Sequence, residues 1–171
     1  MGVNLTDNSD EILKALQQSI ERGLEGVGQA CERYAIMLTP TDTGRLKNSI
    51  THHVVIDGLQ SGSVVVGSNV SYAPYVELGT GKYASDENGN PTGKGRRGYW
   101  VYVTNSDKSK ASSIKKIYTL DEAKKVMAIL CSKGLDVHIT DGTKPAHMIG
   151  NAINNHLNEY KTLIEDALKG V

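Results

Sequence analysis

The sequence predicts an α+β fold in which a long N-terminal helix and a C-terminal helix pack on a small, mainly antiparallel sheet, with an inserted strand–helix–strand unit. Three observations predict it. Apolar residues recur every three or four positions across residues 10–38 and again across 149–168, the period of a helix with one buried face. Two short β-branched runs follow the first helix, separated by a glycine-containing loop, as in an antiparallel hairpin. Between Tyr99 and Thr140 the period changes from strand to helix and back to strand. At 171 residues the chain suffices for one such core plus an insertion.

In order along the chain, residues 1–9 are polar and carry no apolar period. The first helix places Leu13, Leu16, Ile20, Leu24, Val27, Cys31, Tyr34 and Leu38 on one stripe, about 43 Å long at 1.5 Å per residue. Asn8 and Glu11 have the spacing of a capping box. Gly23, Gly26 and Gly28 weaken the middle of the helix, or mark the close approach of another one. Pro40 ends it, because Thr39 is biased away from helical angles.

Asp42 or Thr43 then caps a short turn over Gly44–Asn48. Strands follow at Ile50–Asp57 and Ser63–Ser68, with Ile50, His52, Val54 and Ile56 on one face. Tyr72–Thr80 reads as one short helix, with Pro74 in its first turn and Gly79 as its C-cap. Residues 80–98 lack an apolar period and read as a long mobile loop. Tyr99–Val103 is a strand and Asn105–Ser113 a polar loop. Ile114–Tyr118 is strand-like, and Thr119 and Glu122 form a capping box. The helix they open has Ala123, Val126, Met127 and Leu130 on one face, and Gly134 stops it. Leu135, Val137 and Ile139 then alternate with polar residues. Pro145 opens the last helix, with its stripe at Ile149, Ile153, Leu157, Tyr160, Ile164 and Leu168. The expected division is a core of residues 1–104 and 140–171, with 105–139 inserted.

Function classes narrow from composition. Lysine plus arginine and aspartate plus glutamate number 19 each, which gives no overall charge to drive binding to nucleic acid. Cys31 and Cys131 have no metal or redox spacing and read as buried thiols of a reducing compartment. No leader pattern or membrane-length apolar run is present in this sequence, so a soluble cytoplasmic product is expected. His52, His53, His138, His147 and His156 include no zinc-type spacing, and His147 and His156 fall on opposite faces of the predicted last helix. His52, on an apolar strand face, reads as a hydrogen-bonded core or interface residue. Gly79-Thr80-Gly81-Lys82 lacks the rest of a phosphate loop and reads as a structural turn. No nucleophile elbow occurs, so neither an enzyme, a cofactor nor a small-molecule substrate is expected. Basic residues gather between Lys82 and Lys125, 10 against 5 acids, including Lys94, Arg96, Arg97, Lys108, Lys110, Lys115 and Lys116. They form either two solvated loops or a patch facing DNA or a protein interface.

Three ordered strings carry a resemblance. Thr-Pro-x-Asp-Thr-Gly-Arg-Leu-x-x-Ser-Ile spans residues 39–50, Val-Gly-Ser-Asn-Val-x-Tyr-Ala-Pro-Tyr-Val-Glu-Leu-Gly-Thr spans 66–80, and Gly-Thr-Lys-Pro spans 142–145. The chain resembles the neck, or head-to-tail joining, proteins of HK-type long-tailed bacteriophages, also described as minor tail or tail-completion components. The resemblance covers 10–103 and 140–170; Pro145-Ala-His-Met-Ile-Gly-Asn-Ala152 departs from the family's usual Pro-Phe-Leu-x-Pro-Ala, and 105–139 is extra to it. It implies a non-enzymatic virion part made in the bacterial cytoplasm. The implied partners are further copies of itself in a neck ring, adaptor and stopper proteins, and the tail terminator, with packaged DNA close by and no membrane. The competing reading is a nucleic-acid-binding module built on the basic loops at 82–125. The residues the motif marks are Pro40, Asp42, Thr43, Gly44, Arg45, Leu46, Tyr72, Ala73, Tyr75, Glu77, Gly79, Thr80 and Pro145, with Arg45 expected to pair with Glu77. Tyr99, Trp100 and Tyr102 join Tyr72 and Tyr75 as candidates for core or subunit interface.

Overall fold

The computed structural model describes residues 7–58, 61–93, 95, 97–103 and 116–169. Among them are five α-helices and two antiparallel two-stranded sheets, a small α+β fold. In chain order these are α1 (Ser9–Leu38), β1 (Ile50–Asp57), β2 (Ser61–Ser68), α2 (Ala73–Leu78), β3 (Trp100–Val103), α3 (Leu120–Cys131), β4 (Val137–Thr140), α4 (Met148–Asn155) and α5 (Leu157–Leu168). They form two compact units, one of Met1–Ala73 with Met148–Val171 and one of Pro74–His147.

In the first unit α1 is the common partner, packing against the β1–β2 hairpin and against α4 and α5. Its buried residues are Ser19, Gly23, Leu24, Gly28, Ala30, Cys31 and Ala35. The expected stripe is corrected at its ends only: Leu24 and Cys31 are buried and Leu16, Ile20, Val27 and Tyr34 half-buried, while Leu13 and Leu38 are 41% and 44% exposed. Small residues dominate because partners approach α1 closely. A Cβ on Gly23 would lie 3.2 Å from the Ala167 Cβ, and one on Gly28 would strike the His52 ring at 2.3 Å. Gly26 faces open space. The N-terminal capping box at Asn8 is not formed; instead Asp7 Oδ1 accepts from the Ser9 amide at 3.0 Å and from its hydroxyl at 2.5 Å.

The hairpin has the expected sense, with Ile50 opposite Ser68, His52 opposite Val66 and Ile56 opposite Gly62. Leu59 and Gln60 of the expected loop lie outside the described residues. The single C-terminal helix opened by Pro145 is corrected to two, the first starting at Met148, with a break at His156. There the His156 ring stacks on Tyr34 at 3.5 Å between centroids, and the buried Tyr160 hydroxyl donates to the Ala152 carbonyl at 2.7 Å. The Tyr160 hydroxyl gives the Ala152 carbonyl a side-chain partner beside the break, where the helix's own backbone ladder is interrupted. The buried line is consequently Met148, Ala152 and Tyr160, while Ile153, Leu157 and Leu168 are exposed.

In the second unit β3 pairs with β4 in the register Val101–Ile139 and Val103–Val137, and Tyr99 bridges Tyr118. Val101, Ala123 and Val137 form the core, joined by Tyr99, Tyr118, Val126, Met127 and Leu130 among others. The expected capping box of α3 is present: the Glu122 amide donates to Thr119 Oγ1 at 3.4 Å, and the Thr119 amide donates to Glu122 Oε2 at 2.9 Å. Gly134 takes the left-handed stop conformation, φ +77°. Thr119→Ala is expected to cost about 1 kcal/mol, measurable as a lowered urea midpoint. Because β4 takes β3 as its partner, the compact unit includes residues on both sides of the expected insertion 105–139. Residues 114 and 115 of the expected strand at Ile114–Tyr118 and the loop at 105–113 lie outside the described residues; of the rest of that strand, Tyr118 makes the bridge to Tyr99.

Within the loop expected over 80–98, residues 80–93 carry local structure. Ser85 bridges Pro91, and Asp86 Oδ1 accepts from the amides of Asn88 and Asn90 at 2.9 and 2.8 Å. Those bonds, the Asn90 amide first, hold the Asp86 carboxyl below its ordinary value. Of the two thiols, Cys31 is buried and Cys131 exposed, a partial correction; burial pushes the Cys31 thiol up.

Candidate functional site

The junction between α1 and β1 is built from backbone-directed contacts. Thr39 closes α1 with extended angles, and its buried hydroxyl donates to the Ala35 carbonyl at 2.6 Å. The Met148 sulfur lies 3.2 Å from the same hydroxyl, so the junction touches the start of α4. Gly44, at φ +78°, lets the chain turn so that the Asn48 amide reaches its carbonyl at 2.9 Å. The expected cap is weak: Thr43 Oγ1 stands 3.5 Å from the Arg45 amide, and the turn at Lys47–Ser49 starts from Leu46 with no side-chain cap. Pro40, Asp42 and Arg45 are exposed, whereas Leu46 and Ile50 are buried. Ser49 Oγ meets Ser68 Oγ at 2.6 Å, and the Ser68 hydroxyl accepts from the Val70 amide at 3.1 Å. The first two signature strings are thereby joined side by side.

The end of the second string and the third string form a clasp within the second unit. Helix α2 leaves carbonyls unsatisfied at its C-terminus. The Ala146 amide takes that of Val76 at 2.8 Å, the His147 amide that of Glu77 at 3.1 Å, and the Ser85 amide that of Leu78 at 2.8 Å. Gly79 follows as the expected cap with φ +74°. The Thr80 amide donates to the Thr143 carbonyl, and the Thr143 amide returns to Thr80 Oγ1, both at 2.9 Å. A Cβ on Gly81 would stand 2.1 Å from the Asp141 oxygen, and one on Gly142 would stand 2.1 Å from the Thr80 oxygen. Gly79-Thr80-Gly81-Lys82 is a structural turn, as expected, with glycines where two backbones touch. Lys82 contacts the Asp141 carboxylate, which pushes its ammonium pKa up. His147 takes φ +46°, the one non-glycine described residue at positive φ. Such a conformation is strained and persists only where surroundings hold it; here its amide bond to Glu77 does so.

Of the remaining signature residues, Ala73 and Gly79 are buried, Glu77 and Pro145 are half-buried, and Tyr75 is 63% exposed beside the less exposed Tyr72. Arg45 and Glu77 belong to different units. Lys94, Arg96, Lys108, Lys110 and Lys115 lie outside the described residues; Arg97 and Lys116 are exposed. Among the described residues no three histidines, cysteines or carboxylates gather in a way that could hold a metal ion. Ser85 lies 3.4 Å from His147 Nε2, but its hydroxyl donates to the Leu78 carbonyl at 2.9 Å and is buried. That pair serves the clasp. His147 and His156 do not share one helix as expected: His147 precedes α4 and His156 sits at the break. No helix among the described residues is long and apolar enough to cross a membrane.

Sequence reasoning missed two clusters. His52 meets Glu25 and Glu32 of α1, and Glu159 gathers Tyr34, Arg33 and His156. The only local signal for the first is that Glu25 and Glu32 stand two turns apart and flank Gly28.

Residues 4–79 match the family model HK97-gp10-like, described as "Bacteriophage HK97-gp10, putative tail-component". The match runs through α1, the junction, the hairpin and α2, ending on the cap Gly79. No curated protein and no solved structure matches the chain.

Proposed function

We propose, because residues 4–79 match the HK97-gp10-like family model, described as a bacteriophage tail component, that the chain is a structural virion protein joining head to tail as part of a neck ring. The family match is the observation that carries this reading. Tail completion is then a matter of shape and contact, and the residues that matter are those that hold the strings together and those that face outward. Tyr72, just before α2, and Tyr75, within it, carry exposed rings, the amphipathic kind of side chain suited to a subunit contact. Met37 and Leu38 are exposed at the C-terminal end of α1, and Ile12 and Leu13 near the other end, roughly 37 Å apart at 1.5 Å per residue. The proposed partners are further copies of the chain, the adaptor and stopper proteins, and the tail terminator; the proposed location is the virion neck, after synthesis in the host cytoplasm. The 105–139 segment is proposed to decorate the outside of that neck.

Electron microscopy of particles made with and without the chain tests the reading. Free heads and free tails that join when purified protein is added support it; joining that proceeds equally well without the protein sinks it. Tyr75→Ala is expected to lower incorporation into particles while leaving the circular dichroism spectrum unchanged. Retention on duplex DNA that falls steeply with salt, in a protein never found in particles, would favour the nucleic-acid reading instead.

A further inference from the structure

We propose that His52 is a pH-sensitive latch holding the β1–β2 hairpin on α1, closed while its imidazole is charged and loosened when the ring is neutral. The geometry requires two donors. Nδ1 lies 2.5 Å from Glu32 Oε2, and Nε2 lies 3.1 Å from Glu25 Oε1. Only the imidazolium carries a proton on both nitrogens; a neutral ring would turn a lone pair toward one of the carboxylates. The His52 main-chain amide also donates to Glu32 Oε2 at 3.0 Å, so one glutamate holds both backbone and ring of the strand. Gly28, midway between the two glutamates along α1, provides the seat for the ring. The imidazole is only 15% exposed, which limits screening by water of its contact with Glu32.

The groups around the ring are few. Helix α1 presents Glu25 and Glu32, with Gln29 Nε2 donating to Glu25 Oε1 at 3.1 Å. Strand β2 presents Val66 opposite, with Val64 and Ser68 on the same face, none of which titrates. Among the described residues, the charged groups that act on the ring are Glu32 and Glu25 of α1. Glu32 first, then Glu25, raise the imidazole pKa above its ordinary value, and burial opposes them. The His52 bond in turn lowers the Glu25 pKa. A raised histidine pKa means that its stabilisation is complete below the unfolded value, near 6.5, and is lost as pH rises through the higher folded value. A lowered glutamate pKa means that its share is present above the ordinary carboxyl range and is lost as pH falls through the folded value. The latch is therefore closed between those two folded values. Above that window the hairpin keeps its apolar contacts to α1 and loses the ionic one.

Two measurements on the full chain test this. Proton resonance titration of the histidine rings, with the His52 signal assigned by its loss in His52→Gln, should place its transition above that of an unstructured histidine. Amide hydrogen exchange at about pH 6 and about pH 9, corrected for intrinsic rates, should show a several-fold loss of protection in β1 and β2. The α3 amides, remote from the latch in the sequence and in the other unit, should not follow. Glu32→Gln should move the His52 transition down, and Glu25→Gln should move it less. A His52 transition at or below the unstructured value overturns the proposal, as does hairpin protection that falls in step with α3. The Glu25→Gln and Glu32→Gln shifts keep the test decisive where His52→Gln does not fold.

Discussion

Replacing Gly81 by alanine is expected to destabilise the chain by about 3 kcal/mol or more. Two costs combine. The residue sits at φ +61°, where a side chain is strained, and its new methyl carbon would lie 2.1 Å from the Asp141 carbonyl oxygen and 2.8 Å from the Gly142 Cα. Those obstacles are backbone, so no rotamer change relieves them; the clasp must open. Opening it would also strand the amides and carbonyls exchanged between Thr80, Lys82, Asp141 and Thr143. Gly26→Ala is the control. Nothing lies within 4 Å of the place its methyl group would take, and alanine in a helix interior is favoured over glycine by up to ~1 kcal/mol. A denaturant midpoint that falls for the first and holds or rises for the second separates a glycine needed for contact from one merely tolerated. Equal midpoints would mean that the clasp does not carry stability.

Met148→Ala is expected to cost about 2–5 kcal/mol, the range for emptying a fully buried aliphatic site. The side chain has no exposed surface, and its sulfur lies 3.2 Å from the Thr39 hydroxyl. It thus packs where the end of α1 meets the start of α4. The comparison is Met37→Ala at an exposed position of the same region, which should change the thermal midpoint little. A small effect at Met148 would show that the junction is held by its backbone bonds and not by this contact. Because Thr39 begins the first signature string and Ser49 stands near its end, weakening either anchor should also loosen the entry into β1.

These expectations depend on features that differ in how far they could be read from sequence. The limits of α1, the facing of Ile50, His52, Val54 and Ile56, the Thr119–Glu122 box and the caps at Gly79 and Gly134 were all legible. Each is decided by residues within about one helical turn or one strand pairing, so the local pattern contains the cause. The candidate site was half legible. Its strings marked the right segments, and the turn at Gly79–Lys82 was read as structural, but nothing local says that Gly81 and Gly142 meet each other's neighbouring carbonyls.

What the sequence by itself determined is this local grammar: where α1 runs, how α3 is capped and stopped, which way the hairpin faces, and which segments are engineered as turns. Tertiary structure decided the rest. It buried Ser19, Gly23, Gly28, Ala30 and Ala35 of α1 beside the middle of the stripe and left the stripe's ends exposed, because partners approach that helix closely. It broke the last helix at His156, whose ring stacks on Tyr34 of α1. It gave β4 to β3, and placed His52 between Glu25 and Glu32 over Gly28. Each of these rests on a contact between residues far apart in the chain, and the spacing of neighbours carries no record of such a contact.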